Sequence, residues 1–255
     1  MDRVFPRDGL ALVTGASSGI GRAVALELAR RGWKVAAVAR RAEELDRLAA
    51  EAAGQVFACR GDVTDRAGMA ALVAIVEREH GPVALAFLNA GTYFPDGRGH
   101  VDAAAAMRTF EINVGGTLNC LDPLAAAMAA RGKGQIAVNA SVAGYGGLPR
   151  AAAYGASKAA LINMAASLKF ALDPAGICIQ VVNPGFVRTP LTGKNDFPMP
   201  FMVEQEDAAR RICDGFERGG FEIAFPRRLA WLLKALNMLP YPLYFWLVAK
   251  ATGAK

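Results

Sequence analysis

Histidine is scarce in this chain: only His80 and His100 occur among 255 residues. Neither lies near a G-x-S-x-G turn, which argues against a serine hydrolase and against a metal site built from imidazoles. Cysteine is equally sparse. Cys59, Cys120, Cys178 and Cys213 are far apart, without a C-x-x-C pair, and so predict reduced core thiols and neither disulfides nor metal ligands. Charged residues make up 20% against 53% hydrophobic ones, a balance that excludes a disordered chain. The opening MDRVFPRDG has acids and a proline but no apolar core. It does not read as a secretory signal, and a cytoplasmic location is expected. A net charge of +6 would suit an acidic partner, but the arginines and lysines are scattered and no nucleic-acid-binding motif is present. No nucleic-acid partner is expected.

What is present is an alternation of short apolar runs with amphipathic ones. Residues 10–14, 34–39, 55–60, 83–89, 135–140 and 177–183 read as buried strands. Between them, 20–31, 43–53, 65–80, 103–131 and 149–172 read as helices, the fourth with a kink or boundary at Pro123 and the fifth opened by Pro149. A break falls at 97–99. This pattern predicts an α/β fold: a doubly wound, Rossmann-like parallel sheet in a single domain with helices on both faces. That domain spans 1–225, and 226–255 form an apolar helical extension. Ligands of such sheets bind at the carboxyl ends of the strands.

Two stretches carry chemistry. In SVAGYGGLPRAAAYGASK, residues 141–158, Tyr154 and Lys158 are four apart and share one face of a helix. A neighbouring ammonium favours the phenolate and brings the tyrosine closer to acid/base strength at neutral pH. Ser141, at the end of the fifth strand, can hydrogen-bond a carbonyl oxygen beside Tyr154. The second stretch, TGASSGIG at 14–21, follows a strand and opens a helix. Gly15, Gly19 and Gly21 let the backbone approach a pyrophosphate, whose charge the helix N-terminus stabilises.

Together these motifs resemble the short-chain dehydrogenase/reductase family, and the similarity continues in order along the chain. Gly15, Ser17, Ser18, Gly19, Ile20 and Gly21 match its cofactor loop. Asp62 and Val63 resemble the pair that borders the adenine. Asn89, Ala90 and Gly91 resemble the family's NNAG element, with Leu88 in place of its first asparagine. Asn113 falls where the family has a helix asparagine that supports a water relay to the lysine. Pro184, Gly185, Val187 and Thr189 resemble the segment beside the nicotinamide. The resemblance, covering about residues 8 to 225, implies hydride transfer between a nicotinamide and a carbonyl or alcohol. It assigns Tyr154 as the acid/base, Ser141 as the oxygen's hydrogen-bond partner, and Asn113 with Lys158 as the proton relay. Lys158 and Tyr154 would also contact the cofactor. It further implies a homodimer or tetramer and no metal. The alternative is a dinucleotide-bound regulator or scaffold without turnover.

Arginines 40 and 41 end the second strand, where an acid would accept from a ribose 2′-hydroxyl. They predict NADP(H), with Arg40 as the 2′-phosphate contact and NAD(H) as the weaker cofactor. Beyond Thr189, the loop 191–203 carries Phe197, Met199, Phe201 and Met202, which suit either an apolar ligand or packing on the body. In the tail, Leu229, Leu232, Leu233 and Leu236 form a helical stripe, and Pro240 and Pro242 interrupt before LYFWLV. Two short helices are expected in place of a spanning one. Residues 227–248 could bury against the domain, seal the substrate pocket, pack between subunits, or lie peripherally in a membrane interface with Trp231, Tyr241, Tyr244 and Trp246 near the headgroups.

Overall fold

In β1 (Leu10–Thr14) successive side chains alternate between two apolar layers: Leu10 and Leu12 enter one, Ala11 and Val13 the other. The same period-2 geometry makes both faces of the central strands apolar, which is the signature of a sheet covered on each side. The computed structural model describes residues 3–95, 101–194 and 199–253. It contains a seven-stranded sheet, parallel throughout. After β1 come β2 (Val35–Ala39), β3 (Val56–Arg60), β4 (Val83–Leu88), β5 (Gly134–Asn139), β6 (Ile177–Pro184) and β7 (Glu222–Phe225), in the spatial order 3-2-1-4-5-6-7. One face is covered by α1 (Gly19–Arg30), α2 (Ala42–Glu51) and α7 (Gln205–Arg218); the other by α3 (Arg66–His80), α5 (Gly116–Arg131) and α6 (Ala152–Leu172). The order reverses between β1 and β4, and the crevice opens there at the strand carboxyl ends.

Three local departures from the sequence reading have physical causes. The long helical run divides into α4 (Ala103–Phe110) and α5, joined by a π-helical turn at Glu111–Gly115, while Pro123 stays inside α5. A proline costs one ladder bond and a local clash, which a packed helix can absorb. The helix expected from Pro149 begins at Ala152, because Arg150 takes a left-handed φ of 61°. Strand β7, only four residues long, was hidden in the sequence by its length; it pairs with β6 through Val182↔Ile223 and Asn183↔Ala224. The break at 97–99, His100 and Phe197 lie outside the described residues.

The extension forms two helices, α8 (Arg227–Asn237) and α9 (Tyr241–Thr252). Leu229 and Ala230 pack with Val142, and the Tyr244 hydroxyl donates to the Gly147 carbonyl at 2.8 Å. Both helices therefore rest on the segment that directly follows Ser141. No described helix is long and apolar enough to cross a membrane.

Candidate active site

The β1–α1 turn is built around close backbone approach. Gly15 takes φ +69°, and a Cβ there would stand 2.9 Å from Ala90 Cα; one on Gly21 would stand 2.5 Å from the Gly15 carbonyl oxygen. Neither position admits a larger residue without displacing backbone. The opposite wall is tied to this turn by Thr14, whose Oγ1 accepts from the amides of Asn89 and Ala90 at 2.9 and 3.0 Å. Asn89 Nδ2 returns a bond to the Thr14 carbonyl at 3.0 Å, and Asn139 Nδ2 donates to Asn89 Oδ1 at 2.9 Å. Leu88, where an asparagine was expected from the resemblance, is buried in the core and leaves this bracing intact.

Asn113 sits in the π turn and is wholly buried. Its Oδ1 accepts from the Thr92 amide at 2.7 Å, while Nδ2 donates to the Thr92 carbonyl at 3.1 Å and to Ser157 Oγ at 2.9 Å. The side chain thus fastens the loop after β4 to α6, one residue before Lys158. Lys158 Nζ donates to the Asn139 carbonyl at 2.7 Å and stands 5.6 Å from the centre of the Tyr154 ring. Burial pushes the Lys158 ammonium down to about 8.

Contrary to the lowering expected from the neighbouring ammonium, Tyr154 is raised: burial dominates, a hydrogen bond with Ser141 draws it back down, and the nearby Tyr93 adds to the rise. Tyr93 packs edge-on to Tyr154 at 5.2 Å between centroids. Ser141 Oγ accepts from the Ala143 amide at 3.1 Å, which caps a short 3₁₀ turn at Val142–Gly144 and fixes the hydroxyl next to Tyr154. Serine, from the turn after β5, thus converges with tyrosine and lysine from α6.

A cleft of about 420 Å³ joins these groups to the glycine turn. Of the residues singled out from the sequence, Gly15, Ser17, Ser18, Gly19 and Ile20 line it, with Arg40, Asp62, Val63 and the 89–91 segment. So do Ser141, Tyr154, Lys158, Pro184, Gly185, Val187 and Thr189. Gly21 and Asn113 stand behind the wall. The cleft fits a dinucleotide: its floor is made of glycines that a Cβ would fill, α1 turns its N-terminal amides toward it, and Asn139 Oδ1, buried on its wall, has no partner among the described residues.

The sequence ranks Arg40 above Arg41 and gives no sign of Thr192. Arg41 donates from Nη2 to Ser17 Oγ at 2.9 Å and to Ser18 Oγ at 2.8 Å, whereas Arg40 lies 3.7 Å from Asp62. Asp62 is held below the usual carboxylate range first by the Thr64 amide and, more weakly, by Arg40. Thr192 Oγ1 donates to the Val187 carbonyl at 2.7 Å and accepts from the Thr189 amide at 3.0 Å, closing the loop that carries Thr189. The second strand's Arg-Arg ending was a usable signal for Arg41; Thr192 had none. In the 191–203 loop Phe201 is exposed at 54% and Met199 is partly buried.

The sheet order, the glycine turn and the cleft define a Rossmann-type dinucleotide-binding fold. A family profile described as short chain dehydrogenase matches residues 9–198. An uncharacterized oxidoreductase of Myxococcus xanthus is 38% identical over 237 residues, covering 92% of this chain and 94% of that protein. The crystal structure of a short-chain dehydrogenase from Streptomyces avermitilis superposes with a TM-score of 0.81 at 28% identity, over 97% of this chain and 98% of that one. A short-chain dehydrogenase from Sphingobium yanoikuyae in complex with NADPH gives a TM-score of 0.78 at 31% identity, over 90% and 92% of the two chains. The chain belongs to the short-chain dehydrogenase/reductase family, and is an NAD(P)-dependent oxidoreductase of that family.

Proposed function

We propose that the protein interconverts a carbonyl and a primary or secondary alcohol on an apolar small molecule, with NADP(H) preferred over NAD(H). The observation that carries this reading is the convergence of Ser141, Tyr154 and Lys158 on one cleft with the glycine turn. The nicotinamide supplies or accepts the hydride. In reduction, Tyr154 donates its phenolic proton to the alkoxide oxygen as negative charge develops there, and Ser141 hydrogen-bonds the same oxygen. Lys158, still largely protonated at neutral pH with a pKa of about 8, stabilises the phenolate left behind and passes a proton back toward it. Asn113 holds the backbone geometry around this relay.

Gly15, Ser17, Ser18, Gly19, Ile20 and Gly21 form the pyrophosphate cradle, with Asp62 and Val63 at the adenine. Asn89, Ala90 and Gly91 form the ribose wall; Pro184, Gly185, Val187 and Thr189 hold the carboxamide. The NADP(H) preference rests on Arg40 together with Arg41, whose guanidinium and two serine hydroxyls are grouped as donors for a 2′-phosphate. The NADPH complex of the Sphingobium protein agrees with this direction. Exposed Met107, Leu118 and Phe170 on α4, α5 and α6 suit assembly as a homo-oligomer through the helices flanking the sheet. Four free thiols suit a reducing cytoplasm, with peripheral membrane contact through 227–248.

The test is nicotinamide absorbance with purified protein, NADPH or NADH, and a panel of apolar ketones and aldehydes. Turnover with at least one carbonyl, and higher kcat/KM for NADPH, is the expected result. Tight NADPH binding with no turnover across the panel would contradict the enzymatic reading, and a clear NADH preference would contradict the cofactor assignment.

A further inference from the structure

The outward faces of α8 and α9 carry the wrong chemistry for water. The inner faces meet the domain through Leu229, Ala230, Tyr244 and Val248, all buried. Facing away are Trp231 at 71% exposure, Phe245 at 60% and Trp246 at 57%, with Leu232, Met238 and Tyr241 exposed among them. On a surface helix those positions are ordinarily polar. An exposed apolar surface of this kind marks an interaction site.

Charge decides the occupant. Residues 226–255 contain Arg227, Arg228, Lys234, Lys250 and Lys255 and no Asp or Glu, a formal +5 out of the chain's +6. Lys234 is taken up by Glu222, which Tyr145 and Asn183 also hydrogen-bond; Arg227, Arg228 and Lys250 remain on the exposed side. Lys250 lies over the Trp246 ring at 5.1 Å, so cation and indole occupy one level, as at a lipid headgroup boundary. A second copy of this chain is a poor occupant. A two-fold interface sets a patch against itself, and here cations would meet cations without an acid on either side. With 11 and 12 residues, α8 and α9 are too short to span a bilayer.

We infer that the outward faces of α8 and α9 are a docking surface for an anionic bilayer, into which Trp231, Phe245 and Trp246 insert to headgroup depth while Arg227, Arg228 and Lys250 contact lipid phosphates. This deepens the membrane contact proposed above by assigning its residues and its lipid charge, and it does not depend on turnover. Because the inner faces seat on the segment that follows Ser141, docking holds the substrate side of the cleft near the bilayer. An apolar carbonyl compound dissolved in lipid is the substrate class that such an orientation serves.

The experiment is co-sedimentation of the full chain with vesicles of phosphatidylcholine alone or mixed with phosphatidylglycerol, with tryptophan emission as a second readout. Binding to the mixed vesicles, a blue shift, and at least about tenfold weaker binding to phosphatidylcholine alone are expected. Arg227→Gln with Arg228→Gln should weaken binding roughly 20- to 30-fold, since each basic residue near an anionic surface contributes about fivefold. Raised salt should do likewise. Trp231→Ser with Trp246→Ser should abolish sedimentation. These residues are exposed, and an unchanged melting temperature establishes that each variant is folded. No binding by the wild type, or equal binding to neutral and anionic vesicles, would overturn the inference. So would a vesicle-free dimer that the tryptophan variant dissociates, which would assign the face to a second copy.

Discussion

Replacing Asn113 with alanine tests the bracing behind the active site. The substitution removes three hydrogen bonds: one accepted from the Thr92 amide, one donated to the Thr92 carbonyl, and one donated to Ser157 Oγ. Ser157 keeps a partner, since its hydroxyl donates to the Tyr154 carbonyl at 2.7 Å. Thr92 loses both of these bonds. An orphaned buried polar group costs about 1–3 kcal/mol, and Thr92 is only partly buried, so water offsets part of the loss. A destabilisation of about 2–4 kcal/mol results. For a domain of this size each kcal/mol lowers Tm by about 2–4 °C, giving a drop of roughly 4–16 °C. Differential scanning calorimetry measures it, with guanidinium unfolding as a second determination of the free energy. Ser157→Ala alone should cost about 1 kcal/mol, and the double variant should cost less than the sum of the two singles because they share a bond. A Tm for Asn113→Ala within about 1 °C of wild type, or strict additivity in the cycle, would show that these bonds do not brace the site.

Two further outcomes follow from the same geometry. Burial places the Lys158 pKa at about 8, and in the proposed mechanism the protonated form returns a proton to Tyr154. Accordingly kcat/KM for carbonyl reduction, which reports ionisations of the free enzyme and free substrate, should fall as pH rises through about 8, and Lys158→Met should lack that limb; a flat wild-type profile to pH 10 would be inconsistent with it. Arg41→Ala should reduce the NADPH/NADH ratio of kcat/KM by roughly 10- to 100-fold, the value of a charge-assisted pair, with a smaller effect from Arg40→Ala because Arg40 is drawn toward Asp62. A larger loss from Arg40→Ala would reverse the ranking of the two arginines.

Much of the fold was legible because its strands are continuous apolar runs. Leu10–Thr14 was read to the residue, and the other five runs lay within a residue or so of β2 to β6. Strand β7 escaped because four residues with alternating burial resemble a loop in sequence. The π turn at Glu111–Gly115 escaped because it has the same residue chemistry as the helices it joins. At the site, fixed spacings made Ser141, Tyr154 and Lys158 readable, since four residues on a helix determine a shared face. The Arg41–Ser17–Ser18 grouping and the Thr192 clasp depend on loops brought together across 24 residues in one case and on a turn without sequence periodicity in the other. In the tail, spacing identified the stripe but not its orientation: Leu229 faces the domain and Leu232 faces outward. Tyr244, expected at a headgroup level with the other aromatics, is instead buried and hydrogen-bonded to Gly147. The direction of a short helix depends on what it packs against, here the Val142–Gly147 segment, which no local pattern encodes.

In the proposed mechanism Tyr154 moves the proton, and catalysis requires its hydroxyl, not its ring. Tyr154→Phe keeps the edge-on contact with Tyr93 and removes only the group hydrogen-bonded to Ser141. The decisive measurement is turnover of an accepted carbonyl substrate by this variant alongside its NADPH dissociation constant. Turnover should fall by at least about 1000-fold, within the reach of a lost acid/base and its oxygen contact together, with cofactor affinity unchanged within a few-fold. Turnover within about tenfold of wild type would contradict the mechanism.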